Sequence, residues 1–298
     1  MISVSIVGGS GCGKTTGVGL LHEGLNYYAV RNKGEFQFQP DLASTDYIYR
    51  IGQKLRSGEF PDKTDPGSRL EVKLNLRFKK SIGWKEFEIN AYDVAGDEIK
   101  STLDEMHTAK SMAEVVSSLR GSKVMSALLN SEVFIFIIDS MMCDPIVSKA
   151  NEEAKAKHNS FLSQLWLAIQ EYKGKTRWNI KGVGLIFAKY DISNYFLDLG
   201  KVTYQSVSDP NLPTPKEPKT QNGGADKFRD VLVQYLPWLL GGFDFAFKKA
   251  DPKNFMYFKS GVAMTSKDNQ DPDAGPIELP LRFTANEFVK MTKWLSEI

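Results

Sequence analysis

The chain has 298 residues, 42% hydrophobic and 25% charged, the make-up of a soluble globular protein with one large domain or two ordinary ones. A formal net charge of +2 leaves no electrostatic footprint for nucleic acid or an anionic membrane, and two cysteines, Cys12 and Cys143, cannot form a disulfide framework. No apolar run reaches the roughly 18–20 residues of a membrane span, and the first residues lack the basic region, apolar core and cleavage site of a secretory leader. The expected location is the cytoplasm, with membrane contact only of a peripheral kind.

The first predicted element is a strand over 2–7, apolar and β-branched. It runs into Gly8-Gly9-Ser10-Gly11-Cys12-Gly13-Lys14-Thr15, which fits G-x-x-x-x-G-K-[ST] at every fixed position. A chance match in a chain of this length arises roughly one time in a hundred, so the motif is taken to bind a nucleoside triphosphate. Gly8, Gly11 and Gly13 permit backbone angles that a Cβ disfavours, which lets the loop turn its N–H groups inward on an anion. A helix over 16–28 follows, and its N-terminus adds unpaired N–H groups and a positive dipole end. Gly8, Gly11, Cys12, Gly13, Lys14, Thr15 and Thr16 are therefore candidate nucleotide-binding residues. Lys14 brings a full charge to the β- and γ-phosphates, and the Thr15 hydroxyl is a candidate Mg²⁺ ligand.

Residues 29–68 are irregular, with aromatics at Phe36 and Phe38, a helix expected across 43–55, and a run of turn formers over 58–67. Leu70, Val72, Leu74, Leu76 and Phe78 alternate with polar residues, and 84–92 alternates again, so a hairpin turning at 81–83 is expected. Residues 99–130 read as mixed helix. Residues 133–138 and 183–188 are continuous apolar runs, as strands buried on both faces require. A helix over 150–172 separates them, its inner side assigned to Phe161, Leu162, Leu165, Leu167, Ala168 and Ile169. After a proline-rich stretch over 195–224, a helix over 225–240, a strand over 254–263 and an amphipathic helix over 284–298 complete the chain. Alternating strands and helices predict a three-layer α/β fold: a mostly parallel sheet, one antiparallel hairpin, and helices on both faces.

Ligands of such sheets bind at the carboxyl ends of the strands. The P-loop, Asp93, Asp139, Asp191 and Ser266 all follow predicted strands. In Asp93-x-x-Gly96 a carboxylate can hold Mg²⁺ through water while Gly96 offers its N–H to a γ-phosphate. In Lys189-x-Asp191 a carboxylate can accept both donors of guanine, a pair that adenine lacks, and the Lys189 stem can lie over the purine.

In this order the motifs resemble the Ras-like GTPases of the translation-factor-related P-loop class. Gly58-x-Phe60-Pro61-x-x-Thr64, with Glu98 after the Asp93 motif, resembles more narrowly the large prokaryotic double-GTPase branch. The resemblance covers about residues 1–267 and implies a single G domain over 1–298 with long insertions at about 29–68, 97–130 and 195–253. It implies a guanine-nucleotide switch that hydrolyses GTP slowly with Mg²⁺, and unidentified protein effectors or regulators. By the same resemblance Thr64 is the switch I threonine that senses the γ-phosphate and Mg²⁺, with Thr45 as its rival, and Gly96 opens switch II. Lys189 and Asp191 read guanine, and Ser266 and Lys267 cover the base.

The chain departs from that pattern at two positions. Ala188 stands where an Asn or Thr usually ties the base loop to the P-loop, and Asp97 stands where a water-positioning Gln is common. Asp97, Glu98 or a partner's group is left to orient the attacking water. Two other readings stay open: a P-loop ATPase or kinase using Asp139 as its Mg²⁺ carboxylate, and a nucleotide-bound scaffold with negligible turnover. Cys12 sits where a helix N-terminus can activate a thiol, although a small tolerated side chain is the plainer account. His22, His107 and His158 show no metal spacing and are assigned to surface or core. The aromatic stretch 236–247 is assigned to core packing, with partner or membrane contact as the alternative.

Overall fold

The computed structural model describes residues 1–9, 11–56, 61, 69–94, 108, 114, 117, 123–143, 151–175, 180–189, 255–260 and 281–298. Its strands are β1 (Ile2–Gly8), β2 (Phe36–Pro40), β3 (Arg69–Lys79), β4 (Trp84–Val94), β5 (Val133–Asp139), β6 (Gly182–Ala188) and β7 (Phe255–Ser260). Its helices are α1 (Lys14–Arg31), α2 (Leu42–Arg56), α3 (Lys123–Leu129), α4 (Glu152–Lys175) and α5 (Leu281–Glu297).

The strands form one seven-stranded sheet in the order β2-β3-β4-β1-β5-β6-β7. The pairs β4–β1, β1–β5, β5–β6 and β6–β7 are parallel. The expected hairpin is β3–β4, in register from Arg69↔Val94 to Lys79↔Trp84. Beyond it β2 adds an antiparallel edge strand, Phe36↔Phe78 to Pro40↔Leu74, where the sequence suggested only irregular chain. Its alternation of Phe and Gln is too short to stand out, and the strand exists through its pairing with β3.

Two layers of side chains cover the sheet. Val4, Ile6, Ile135 and Ile137 share a core with Leu21 and Leu25 of α1, Ile51 of α2, and Phe288, Met291 and Trp294 of α5. Alternate residues of β5 face the opposite layer, where the Phe136 ring meets Trp166 of α4 edge-on at 5.8 Å between centroids. Every residue of β5 and β6 is buried, as strands covered on both faces must be. Each such Ile, Val or Phe contributes roughly 1.5–3 kcal/mol of burial.

One assignment on α4 is corrected: Leu167 is 52% exposed and Trp166, not counted to the inner side, is 1% exposed. The run from Leu165 to Ile169 is apolar throughout, so it marks no preferred face, and packing on Phe136 decides which residues turn inward.

Asp41 starts α2, its carboxylate accepting the Ser44 N–H at 2.7 Å as a capping side chain does. Among the described residues no helix is long and apolar enough to cross a membrane.

Candidate nucleotide site

β1 delivers the glycine-rich loop to the carboxyl edge of the sheet and α1 carries the chain away. The glycines of the loop serve different ends. Gly11 (φ 71°) and Gly13 (φ 93°) occupy left-handed backbone that disfavours a side chain. Gly8, expected to do the same, is needed for space: a Cβ there would come within 2.5 Å of the Cys12 Sγ. Gly13 is the N-cap of α1 and supplies no side-chain cap, and the first turn holds no acidic residue. The positive end of the helix is thus neither capped nor neutralised by its own side chains, which suits it to an anion.

The Lys14 Nζ donates to the Gly9 carbonyl at 2.8 Å, so the ammonium is held across the loop. The Thr15 and Thr16 residues follow in the first turn of α1. On the other side of the parallel sheet's centre, Asp139 ends β5 in register with Ala188, the last residue of β6. Lys189 therefore emerges beside Asp139. Its Nζ donates to the Asp139 Oδ2 at 2.6 Å, while Oδ1 accepts the Met141 N–H at 3.0 Å. The Asp139 side chain is 6% exposed and that of Lys189 37%, so the pair spans from the interior to the mouth. Lys189 has φ 56°, the one positive φ at a non-glycine among the described residues, a conformation that costs about 1–2 kcal/mol. Ala188 lies against the P-loop, where a Cβ on Gly13 would meet its methyl at 3.5 Å.

His158 of α4 stands behind the loop. A Cβ on Gly9 would lie 3.0 Å from its Nδ1, and its buried Nε2 has no hydrogen-bond partner among the described residues. Burial lowers its pKa from the usual 6.5 to about 4, against the pull of Asp139 and with the push of Lys189 and Lys14. The imidazole is therefore neutral at pH 7. Sequence spacing gave no sign of this placement, because it depends on α4 folding back across the sheet. The Cys12 thiol is fully buried, and burial raises its pKa in spite of the Lys14 charge. The activation that a helix N-terminus can give a thiol is overruled by desolvation, in keeping with the plainer account of Cys12 as a small tolerated side chain. Two ammonium groups, one carboxylate and a neutral imidazole leave this set net positive, as a polyphosphate site requires.

Other predicted residues fall differently. Asp93 lies in β4, two residues beyond Ala91, which pairs with Ile6 of the P-loop strand. That places its backbone next to the start of the loop. Thr45 lies in α2, its hydroxyl donating to the Asp41 carbonyl at 2.8 Å, as in an ordinary helix turn. Thr64, Gly96, Asp97, Glu98, Asp191, Ser266 and Lys267 lie outside the described residues, as do the helix over 225–240 and the aromatic stretch 236–247.

A parallel sheet whose first strand opens into a glycine-rich loop, lysine and helix N-terminus defines a P-loop nucleotide-binding domain. Within that class the chain belongs to the Double-GTPase 1 family, whose model matches residues 5–157, and it carries that family's capacity to bind and hydrolyse GTP. No curated protein matches the chain.

Proposed function

We propose that the chain is a guanine-nucleotide switch that hydrolyses GTP slowly and with Mg²⁺. The observation that supports this best is the nearness of Ala188 to the P-loop, its methyl 3.5 Å from where a Cβ on Gly13 would stand. Lys189 follows Ala188 directly, which supports a reading in which one nucleotide touches both the P-loop and the Lys189-x-Asp191 motif.

In this reading the N–H groups of Gly11, Cys12, Gly13, Lys14 and Thr15 and the Lys14 ammonium hold the β- and γ-phosphates and stabilise the charge that develops on them. Lys189 lies along the purine, Asp191 accepts its N1–H and 2-amino group, and Ser266 and Lys267 cover the base. The candidate metal donors Thr15, Thr64 and Asp93 are all oxygen donors, the set a hard divalent cation takes. Mg²⁺ held there supplies charge neutralisation on the phosphate oxygens. Thr64 and Gly96 sense the γ-phosphate, and their release after hydrolysis is the switch. Asp97 or Glu98 orients the water, an arrangement less suited than Gln, from which slow intrinsic turnover follows.

The ATPase alternative needs Asp139 as its metal carboxylate. Both Asp139 oxygens already have partners, Met141 N–H and Lys189 Nζ, which weighs against it. The location proposed is cytoplasmic, with protein effectors or regulators still to be found.

Calorimetry with GTP, GDP and ATP tests the reading. Preference for GTP and GDP over ATP is expected, and ATP binding as tight as GTP sinks it. Asp93→Ala is expected to remove the Mg²⁺-dependent part of the affinity, whereas Asp139→Ala should not. Phosphate release no faster than that of a Lys14→Ala control would instead favour the scaffold without turnover.

A further inference from the structure

We propose that Asp139 is a positioning residue for base recognition: its ion pair with Lys189 sets the base loop in place of the polar tie that Ala188 cannot make. The inference rests on the guanine reading above and goes beyond it by assigning a role to a residue outside every base-recognition motif.

Four observations on the two strand ends carry it. Asp139 and Ala188 are paired in register, so the residue after Ala188 must pass beside the Asp139 carboxylate. The carboxylate is fixed from behind, because Oδ1 accepts the Met141 N–H where a short 3-10 turn (Ser140–Met142) begins. Oδ2 then takes the Lys189 ammonium at 2.6 Å. Finally, Lys189 holds left-handed backbone, a conformation that a non-glycine residue keeps only when its surroundings impose it.

The chemistry fits a fixed support. A carboxylate that is 6% exposed and doubly hydrogen-bonded has little freedom to turn. The ammonium it holds belongs to a side chain 37% exposed, so the aliphatic stem can reach the mouth while its end is anchored. Ala188 offers only a methyl beside Gly13, with no polar group to align the two segments. The ionic anchor supplies the direction that the methyl lacks. With Lys189 held, the chain leaving toward Asp191 starts from a defined point.

Asp139→Asn, Lys189→Met and the double variant are compared by calorimetry with GTP, GDP and ITP, with and without Mg²⁺. Asn keeps the acceptor for Met141 N–H and removes only the charge. Each single variant is expected to bind GTP, GDP and ITP about tenfold more weakly, and the double variant no more weakly than either, because one interaction is lost in all three. The Mg²⁺ increment and the GTP-to-GDP ratio should stay as in the unaltered chain, which a general loss of fold would not preserve. Lys189→Met, at a half-exposed position, keeps the test open if Asp139→Asn unfolds. Additive losses, unchanged affinity in Asp139→Asn, or tighter binding that marks the pair as an inhibitory latch would each overturn the proposal. If the unaltered chain binds ATP as tightly as GTP, the guanine reading itself fails. If it prefers GTP and Asp139→Asn does too with full affinity, only the positioning role fails.

Discussion

The His158 imidazole packs close to Gly9: its Nδ1 lies 3.0 Å from where a Cβ on that P-loop residue would stand. Gly9 is an unspecified position of G-x-x-x-x-G-K-[ST], yet the ring leaves a side chain there little room. Gly9→Ala would place its methyl about 3.0 Å from Nδ1, tight enough to push the ring or the loop. We expect a loss of about 1–3 kcal/mol, as for other overpacked sites. Denaturant unfolding of Gly9→Ala and of the pair with His158→Ala tests this. The double variant should regain part of the loss, and simple additivity would deny the steric coupling.

The same histidine makes stability depend on pH. Its pKa is about 4 in the folded chain against an ordinary 6.5, so the unfolded chain binds the proton more readily. Stability from this group is whole above about pH 6.5 and is lost as pH falls toward 4, by up to about 3 kcal/mol. Below pH 4 both states are protonated and the effect levels off. Unfolding titrations between pH 7.5 and 4.5 should show a shallower decline in His158→Gln than in the unaltered chain. Parallel curves would mean that the imidazole titrates normally.

Gly19 lies where α1 packs against Ile51 and Leu55 of α2. A Cβ there would collide with the Ile51 Cγ2 and lie 2.8 Å from the Leu55 Cδ1. Helix propensity alone favours Ala over Gly by about 1 kcal/mol, yet here the clash should win. We expect Gly19→Ala to lower the melting temperature, and Ile51→Val in the same chain to restore some of it. A rise in melting temperature on Gly19→Ala would show that the helices can separate at little cost.

Both cysteines should be inert in the folded chain. Burial raises the Cys12 thiol above its ordinary range and pushes Cys143 up to about 12. Thiolate is the reactive form, so an aromatic disulfide reagent at pH 8 should label neither until the chain unfolds. Rapid labelling of native Cys12 would reinstate it as a sensor thiol.

The fold was largely legible because its signals are local. Alternation gave the β3–β4 hairpin, and unbroken apolar runs gave β5 and β6. What escaped depends on contacts between distant residues. β2 needs β3 as a partner, and the inward turn of Trp166 rather than Leu167 needs Phe136. At the site, the glycines and Lys14 follow from motif chemistry alone. The role of Gly8 as a space-giver for Cys12, the Asp139–Lys189 pair and the place of His158 follow only from strand register and the return of α4.

The order of strands has a last consequence, for anyone who would cut the chain. The matched stretch 5–157 ends just after α4 has begun, yet β5, next to the central strand β1, has β6 and β7 still to come on its outer side. The apolar face of α1 is closed by Phe288, Met291 and Trp294 of α5, almost the last residues of all. A fragment stopping at residue 157 would bare an unpaired apolar edge along Val133–Asp139 and strip one wall from the P-loop helix. Such a fragment is expected to aggregate. The P-loop half thus depends for its closed sheet and covered helix on the half that follows, where the Lys189-x-Asp191 motif also lies.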